Sequence, residues 1–325
     1  MDSILKKLCL INSVSGHEKN LVDIIISNLP PDCTVTFDNI GNLAIEKNKN
    51  MEYRNRIMII SSIDEPGLII NHIEDDGSLR FLTIGNINPD SLVGSVIEIN
   101  HILGIIGQKP PHLEKNKKSN LSSTENMVID IGCDSKKQAL EKIKLGDVAT
   151  FKTEFLKYGN NRINSKSINN KISCSVLLKL LQNSTSCNFF CAFLTKSNIS
   201  CFGATTISNL VQPDIAIIVN SFEENFNLNR SQPHKNFKLT LNPSTNKQLF
   251  DIAKNIAQSN NFDFDVEINN KVTELEKSIT QTNNGVKTLA ISIPCNLINS
   301  NCSNFRLDDS KTLFLLLNKL VLELA

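Results

Sequence analysis

The sequence predicts an α/β fold, with a mostly parallel sheet between helical layers and a small β-rich domain inserted into it. Three observations carry this. From residue 162 onward, apolar strands alternate with helical patterns, as in a sheet covered on both faces. Residues 67–161 break that texture with short apolar pieces and turn residues. Before them, "RIMII" (56–60) reads as a buried strand. The expected division is therefore 1–66 with 162–325 for the α/β domain, and 67–161 for the insert.

The elements follow in order. "MDSILKKLCLINS" is a short amphipathic helix, too brief for a secretion signal or a membrane span. "GHEKNLVDIIISNL" (16–29) is helical, with Leu21, Ile24, Ile25 and Leu29 on one face. "CTVTFDNIGNLAIEK" (33–47) is a hairpin turning at Asn39-Ile40-Gly41-Asn42. In the insert, "GLIINHIEDDGSLRFLTIG" is a second hairpin, turning at Asp75-Asp76-Gly77. "SVIEI", "ILGIIG", "MVIDIG" and "DVATF" supply further strands. Then "NKISCSVLLKLLQN" is a helix, "NFFCAFLT" a strand, "FGATTISNLV" a helix and "DIAIIVN" a strand. "TNKQLFDIAKNIAQSNN" is a helix, "FDFDVEI" and "VKTLAISIP" are strands, and "DDSKTLFLLLNKLVLEL" is a closing helix capped by Asp308 or Asp309.

The chain has 325 residues, 40% apolar and 21% charged, with a net charge of +1. That balance implies a globular protein without the strong field that nucleic acid or an anionic membrane requires. No segment has the length to cross a bilayer, and the cytoplasm is the expected location. The nine cysteines have no regular spacing. They read as scattered reduced thiols rather than a disulfide framework.

An open parallel sheet presents ligands at the carboxyl ends of its strands. Three such ends are notable: Ser61-Ser62-Ile63-Asp64, Asn220-Ser221 and Asn299-Ser300-Asn301. The motifs around them, "SVSGHE" (13–18), "DNIGNLA" (38–44), "DEPGLIINHIEDDGSLRF" (64–81), "GIIGQKPPHL" (104–113), "IDIGC" (129–133), "LGD" (145–147) and "AISIP" (290–294), carry a resemblance. The chain resembles the glutamyl/tetrahedral aminopeptidases, a family also described as cellulase- or endoglucanase-like. The similarity weakens between 221 and 285, where a family loop is shortened.

The resemblance implies a zinc-peptidase-like domain carrying an inserted β-domain. It also implies two divalent metals, zinc or cobalt, that activate a water against the first peptide bond of a substrate. Such a site uses two imidazoles, three carboxylates with one bridging both ions, and a glutamate base. Carried over residue by residue, the first histidine falls on Ser62 and the bridging carboxylate on Asn169. The base falls on Ser197 and its neighbouring ligand on Asn198. The remaining carboxylate falls on Asn220 and the last histidine on Asn299. Asp64, which orients the first histidine in the family, is retained beside Glu65. In isolation Asp64 also reads as a cap for the Pro66-Gly67 turn.

Ser hydroxyls and Asn amides are neutral, poor donors to zinc, so no cofactor is expected. His72 and His112 read as scaffold residues. Cys174, Cys201 and Cys302 lie near former ligands without a histidine to activate them. The expectation is a catalytically inactive family member acting as a structural or regulatory subunit. Its partners are other copies of itself or a catalytically intact paralogue. Two alternatives stand beside it: an active metal-dependent aminopeptidase with other ligands, and a peptide-binding module using the old cleft.

Overall fold

The computed structural model describes residues 2–52, 54–108, 124–183, 187–224, 235–296 and 301–325. The chain opens with helices α1 (Asp2–Leu10) and α2 (Lys19–Ser27) and strands β1 (Cys33–Phe37), β2 (Leu43–Lys47) and β3 (Ile57–Ser62). Strands β4 (Gly67–Ile73), β5 (Leu79–Ile84), β6 (Val96–Ile99), β7 (Ile102–Gln108) and β8 (Met127–Asp130) follow, then α3 (Lys136–Lys142) and β9 (Val148–Phe151). Next come β10 (Leu156–Tyr158), β11 (Arg162–Ser165), α4 (Ile168–Asn183), β12 (Phe189–Leu194), α5 (Phe202–Val211) and β13 (Ile215–Glu223). The chain closes with β14 (Phe237–Leu241), α6 (Lys247–Ser259), β15 (Phe264–Ile268), α7 (Glu274–Thr280), β16 (Lys287–Cys295), β17 (Ser303–Arg306) and α8 (Leu307–Leu324).

Eight strands form the main sheet in the order β1-β2-β12-β3-β13-β16-β14-β15. Its centre, β12-β3-β13-β16, is parallel. The β1-β2 hairpin joins β12 antiparallel at one side, and the parallel pair β14-β15 joins β16 antiparallel at the other. Alternation along the strands divides the core. Ile57 and Ile59 of β3 pack with α1, α2, α4, α6 and α8, whereas Met58 and Ile60 pack with α5 and α7. A strand buried on both faces needs the unbroken apolar run that "IMII" supplies.

Strands β4-β5-β8-β7-β6-β9 close into a six-stranded barrel with its own core. Closure removes the exposed edges that a free sheet of this size would leave. The barrel ends at Phe151, earlier than the expected boundary at 161. Leu156–Tyr158 instead pairs with β11, which pairs with β17 from the chain's far end. That pairing is non-local and left no trace in the local pattern. Two short helices, α3 and α7, also escaped the sequence reading.

The start of α8 differs from expectation. Arg306 occupies the N-cap, and Asp308 and Asp309 lie in the first turn. Asp308 pairs with Lys311, and Asp309 accepts a hydrogen bond from the Asn236 amide at 2.9 Å. None of the nine cysteines is joined in a disulfide among the described residues. No helix among the described residues is long and apolar enough to cross a membrane.

Candidate functional site

β3 ends at Ser62, and the next residues turn Asp64 and Glu65 into the protein. Both are buried. They are fixed by the 13–15 segment, which runs alongside: the Glu65 amide donates to the Ser13 carbonyl at 2.9 Å, and the Ser15 amide to the Glu65 carbonyl at 3.3 Å. The motif "SVSGHE" is therefore a lining strip for the "DEPG" turn.

The Asp64 carboxylate is saturated. Its Oδ2 accepts from Ser15 Oγ at 2.5 Å and from the backbone and side-chain nitrogens of Asn198, each at 2.9 Å. Its Oδ1 accepts from Ser197 Oγ. Capping of the Pro66-Gly67 turn is not its role. Asp64 instead reaches across the strand end to the 195–201 segment, because that segment presents three donors to it.

Side chains from retained motifs hold this segment in place. The Thr195 amide donates to Asn42 Oδ1 at 2.8 Å, and the Lys196 amide to Glu18 Oε1 at 2.7 Å. Lys196 adopts a left-handed backbone (φ 55°) that a lysine favours only when neighbours enforce it. Asn42 also bonds the Gly203 carbonyl at 3.1 Å, and a Cβ on Gly203 would stand 2.8 Å from the Asn42 amide. Asp38 completes the frame through Thr206 Oγ1 at 2.6 Å. Burial works to raise the Asp38 carboxyl, but bonds from Thr206, Asn42 and Ile40 hold it below the usual carboxylate value.

Glu65 faces the other way. Its Oε1 accepts from Lys166 Nζ and from the Ser13 amide, both at 2.9 Å. Lys166 also donates to Asn12 Oδ1 at 2.7 Å. Behind them Lys171, fully buried, donates to Ser13 Oγ and to the Ile63 carbonyl at 2.5 Å. Burial lowers the Lys171 pKa, opposed in part by Glu65. A serine on a lysine of lowered pKa has the composition of a nucleophile–base pair. Here both residues are buried, and neither lines a cavity described for this protein. The pair is structural.

The other predicted positions line two cavities beside Asp64. One, of about 230 Å³, includes Ser62, Ser197, Asn198 and Asn220. The other, of about 260 Å³, includes Ser62, Asn169 and Asn220. Ser62, Asn169, Ser197, Asn198 and Asn220 are thus brought together. Asn299 lies outside the described residues, as does His112. Asn220 lies within β13 rather than at its end, just past the last ladder partner on β3.

The donor set does not fit a zinc or cobalt centre. Hydroxyls and carboxamides lack the negative charge and softness that such ions require. The buried Asp64 carboxylate is already filled by hydrogen bonds, and Glu274, which lines the smaller cavity, is exposed and paired with Lys277. Among the described residues, no three His, Cys, Asp or Glu side chains gather to hold a metal. Cys174 and Cys201 are poor substitute nucleophiles: burial pushes Cys174 up to about 12 and raises Cys201 as well. His72 lies on the barrel, 3.8 Å from Glu74.

The sequence reading missed Ser15, Glu18, Asn42 and Lys166. Three of these stand inside motifs already singled out, so the signal was present without a role attached.

Comparison with known proteins places the fold. The model of the M42 glutamyl aminopeptidase family matches residues 41–316. The lysyl aminopeptidase of Pyrococcus furiosus is 23% identical over 322 residues, covering 91% of this chain and 90% of that protein. The Pyrococcus horikoshii TET1 peptidase, which assembles into a tetrahedron or a large octahedral shell, superposes with a TM-score of 0.84. It is 26% identical, with 98% of each chain covered. The TET aminopeptidase of a marine sediment Thaumarchaeota archaeon shares the fold with a TM-score of 0.90. It is 22% identical and covers 98% of this chain and 96% of its own. The chain belongs to the M42 glutamyl aminopeptidase family.

Proposed function

We propose that this protein is a metal-free, non-catalytic member of its family, serving as a structural or regulatory subunit. One observation carries the reading. Asp64, which we assign to the position that orients a metal-bound histidine, is instead bonded to Ser15, Ser197 and Asn198. Ser197 and Asn198 stand where we assign the base and a metal ligand. The carboxylate has been enlisted to hold the loop, and neutral groups replace those that would repel one another without metal. The oligomeric habit of the TET1 relative supports assembly with copies of itself or with an active paralogue. Elsewhere the scaffold keeps its family motifs, which is what docking to related subunits requires.

The test combines two measurements. The purified protein should contain no stoichiometric zinc or cobalt and should leave aminoacyl-anilide substrates unhydrolysed when either metal is added. The variant carrying Ser62→His, Asn169→Asp, Ser197→Glu, Asn198→Glu, Asn220→Asp and Asn299→His should bind zinc and be stabilised by it. Chelator-sensitive turnover by the parent chain would overturn the proposal. A folded variant indifferent to zinc would overturn the residue assignment.

A further inference from the structure

The larger of the two cavities differs from the Asp64 centre in one respect: several of its polar side chains lack partners among the described residues. In the larger one, every lining side chain among the described residues is Ser or Asn except Val219. None carries a charge. Ser173 is 2% exposed, and its Oγ has no partner. Serines within helices ordinarily bond a carbonyl in the preceding turn, as Ser175 does to Ile172 at 2.8 Å. Ser173 faces the cavity instead. The side chains of Ser62, Asn220 and Ser221 make no hydrogen bond among the described residues. Asn169 makes one long contact, 3.4 Å to Asn170.

Such groups demand partners that both donate and accept. Anions are disfavoured, because no Lys or Arg lines either cavity and the buried Lys171 ammonium is committed to Ser13 and the Ile63 carbonyl. Divalent cations find no carboxylate, imidazole or thiolate in the larger cavity's lining, and only Glu274 and Cys201 in that of the smaller one. Water satisfies the groups singly. A molecule bearing several hydroxyls satisfies them together and releases that water. Hydroxyl rotors adapt to serine and asparagine alike, whereas a carboxamide fixes its donors at one end. The second cavity shares Ser62, Asn170 and Asn220, so the space continues beyond one hydroxyl cluster.

We propose that the strand-end cleft is a binding site for a small uncharged polyhydroxyl compound, held by Ser62, Asn169, Ser173, Asn220 and Ser221. The inference rests on the metal-free reading above. The probes are myo-inositol and D-glucose, added to the full-length ¹⁵N-labelled protein. Gluconate serves as the charged control and a neutral dipeptide amide as the peptide control. The Asn169 and Asn220 side-chain amide signals should shift saturably with at least one polyol, in the millimolar range (about −4 kcal/mol at 1 mM), and not with gluconate. Ser221→Ala and Asn169→Ala should each weaken binding by about fivefold, the loss of one neutral hydrogen bond. Ser173→Val should weaken it further. No shift with either polyol, or a shift with the dipeptide amide alone, would overturn the inference. Metal analysis on the same sample separates the two claims. Tightly bound zinc breaks the metal-free reading, while metal-free protein inert to polyols breaks only this one.

Discussion

Asp64 and Glu65 are adjacent in sequence and buried side by side, yet they are stabilised by opposite means. Glu65 is met by a cation, Lys166, with the Ser13 amide in support. Asp64 is met by neutral donors alone: two serine hydroxyls, an asparagine amide and a backbone N–H. The Glu65 pair ties the 13–15 segment to Lys166. The Asp64 cluster ties Ser15 to the 195–201 loop. In the reading proposed here, the first arrangement belongs to the scaffold, and the second fills a place where metal chemistry would otherwise stand. The difference teaches that a buried carboxylate needs no counter-ion when enough donors converge on it.

The comparison can be broken most severely at Glu65. Glu65→Gln leaves the Lys166 ammonium buried without its partner and should cost about 3–5 kcal/mol in urea unfolding. The double change Glu65→Gln with Lys166→Met should recover part of that loss, since removing both charges is cheaper than stranding one. A double variant as unstable as the sum of the two singles would show that the pair is not the unit.

Asp64→Ala should cost less, about 1–3 kcal/mol, because the groups left unpaired are neutral. Its signature is local: hydrogen exchange at 195–201 should accelerate more than in the sheet. Equal acceleration everywhere would deny Asp64 its role as the loop's anchor.

A smaller effect sharpens the same frame at Asp38. Its folded pKa lies below the ordinary value of 3.8, so the unfolded chain binds its proton first as pH falls. The stabilising contribution is therefore complete above the ordinary value and is lost as pH drops through the folded one. Asp38→Asn should lower stability at neutral pH and flatten this acid limb in urea midpoints taken from pH 5 to pH 2. An unchanged slope would remove Asp38 from the frame.

The smallest effect belongs to the surface. Lys247 and Asp251 pair at 2.8 Å across one turn of α6, with both side chains at least half exposed. Asp251→Asn should change stability by less than about 0.5 kcal/mol. A larger loss would mean that ion pairing, rather than burial, sets the scale of the Glu65 effect.

Much of this was legible in the residues. The run "IMII" reads as a strand buried on both faces, and the alternation after 162 as a covered sheet. The positions singled out through the family resemblance, Ser62, Asn169, Ser197, Asn198 and Asn220, do meet around two cavities. Local pattern determines the strands and helices because their periodicity is written within a few residues, whereas the site positions came from the resemblance.

Tertiary structure decided the rest. Whether Asp64 capped its own turn or reached for Ser15, Ser197 and Asn198 depended on segments far apart in sequence, which only folding brings within hydrogen-bond range. The same holds for Lys166 on Glu65, for β10 joining β11 and β17 rather than the barrel, and for the free hydroxyl of Ser173. Hydrogen bonds are short and directional, so their partners are fixed by where the chain returns, and no local pattern records that return.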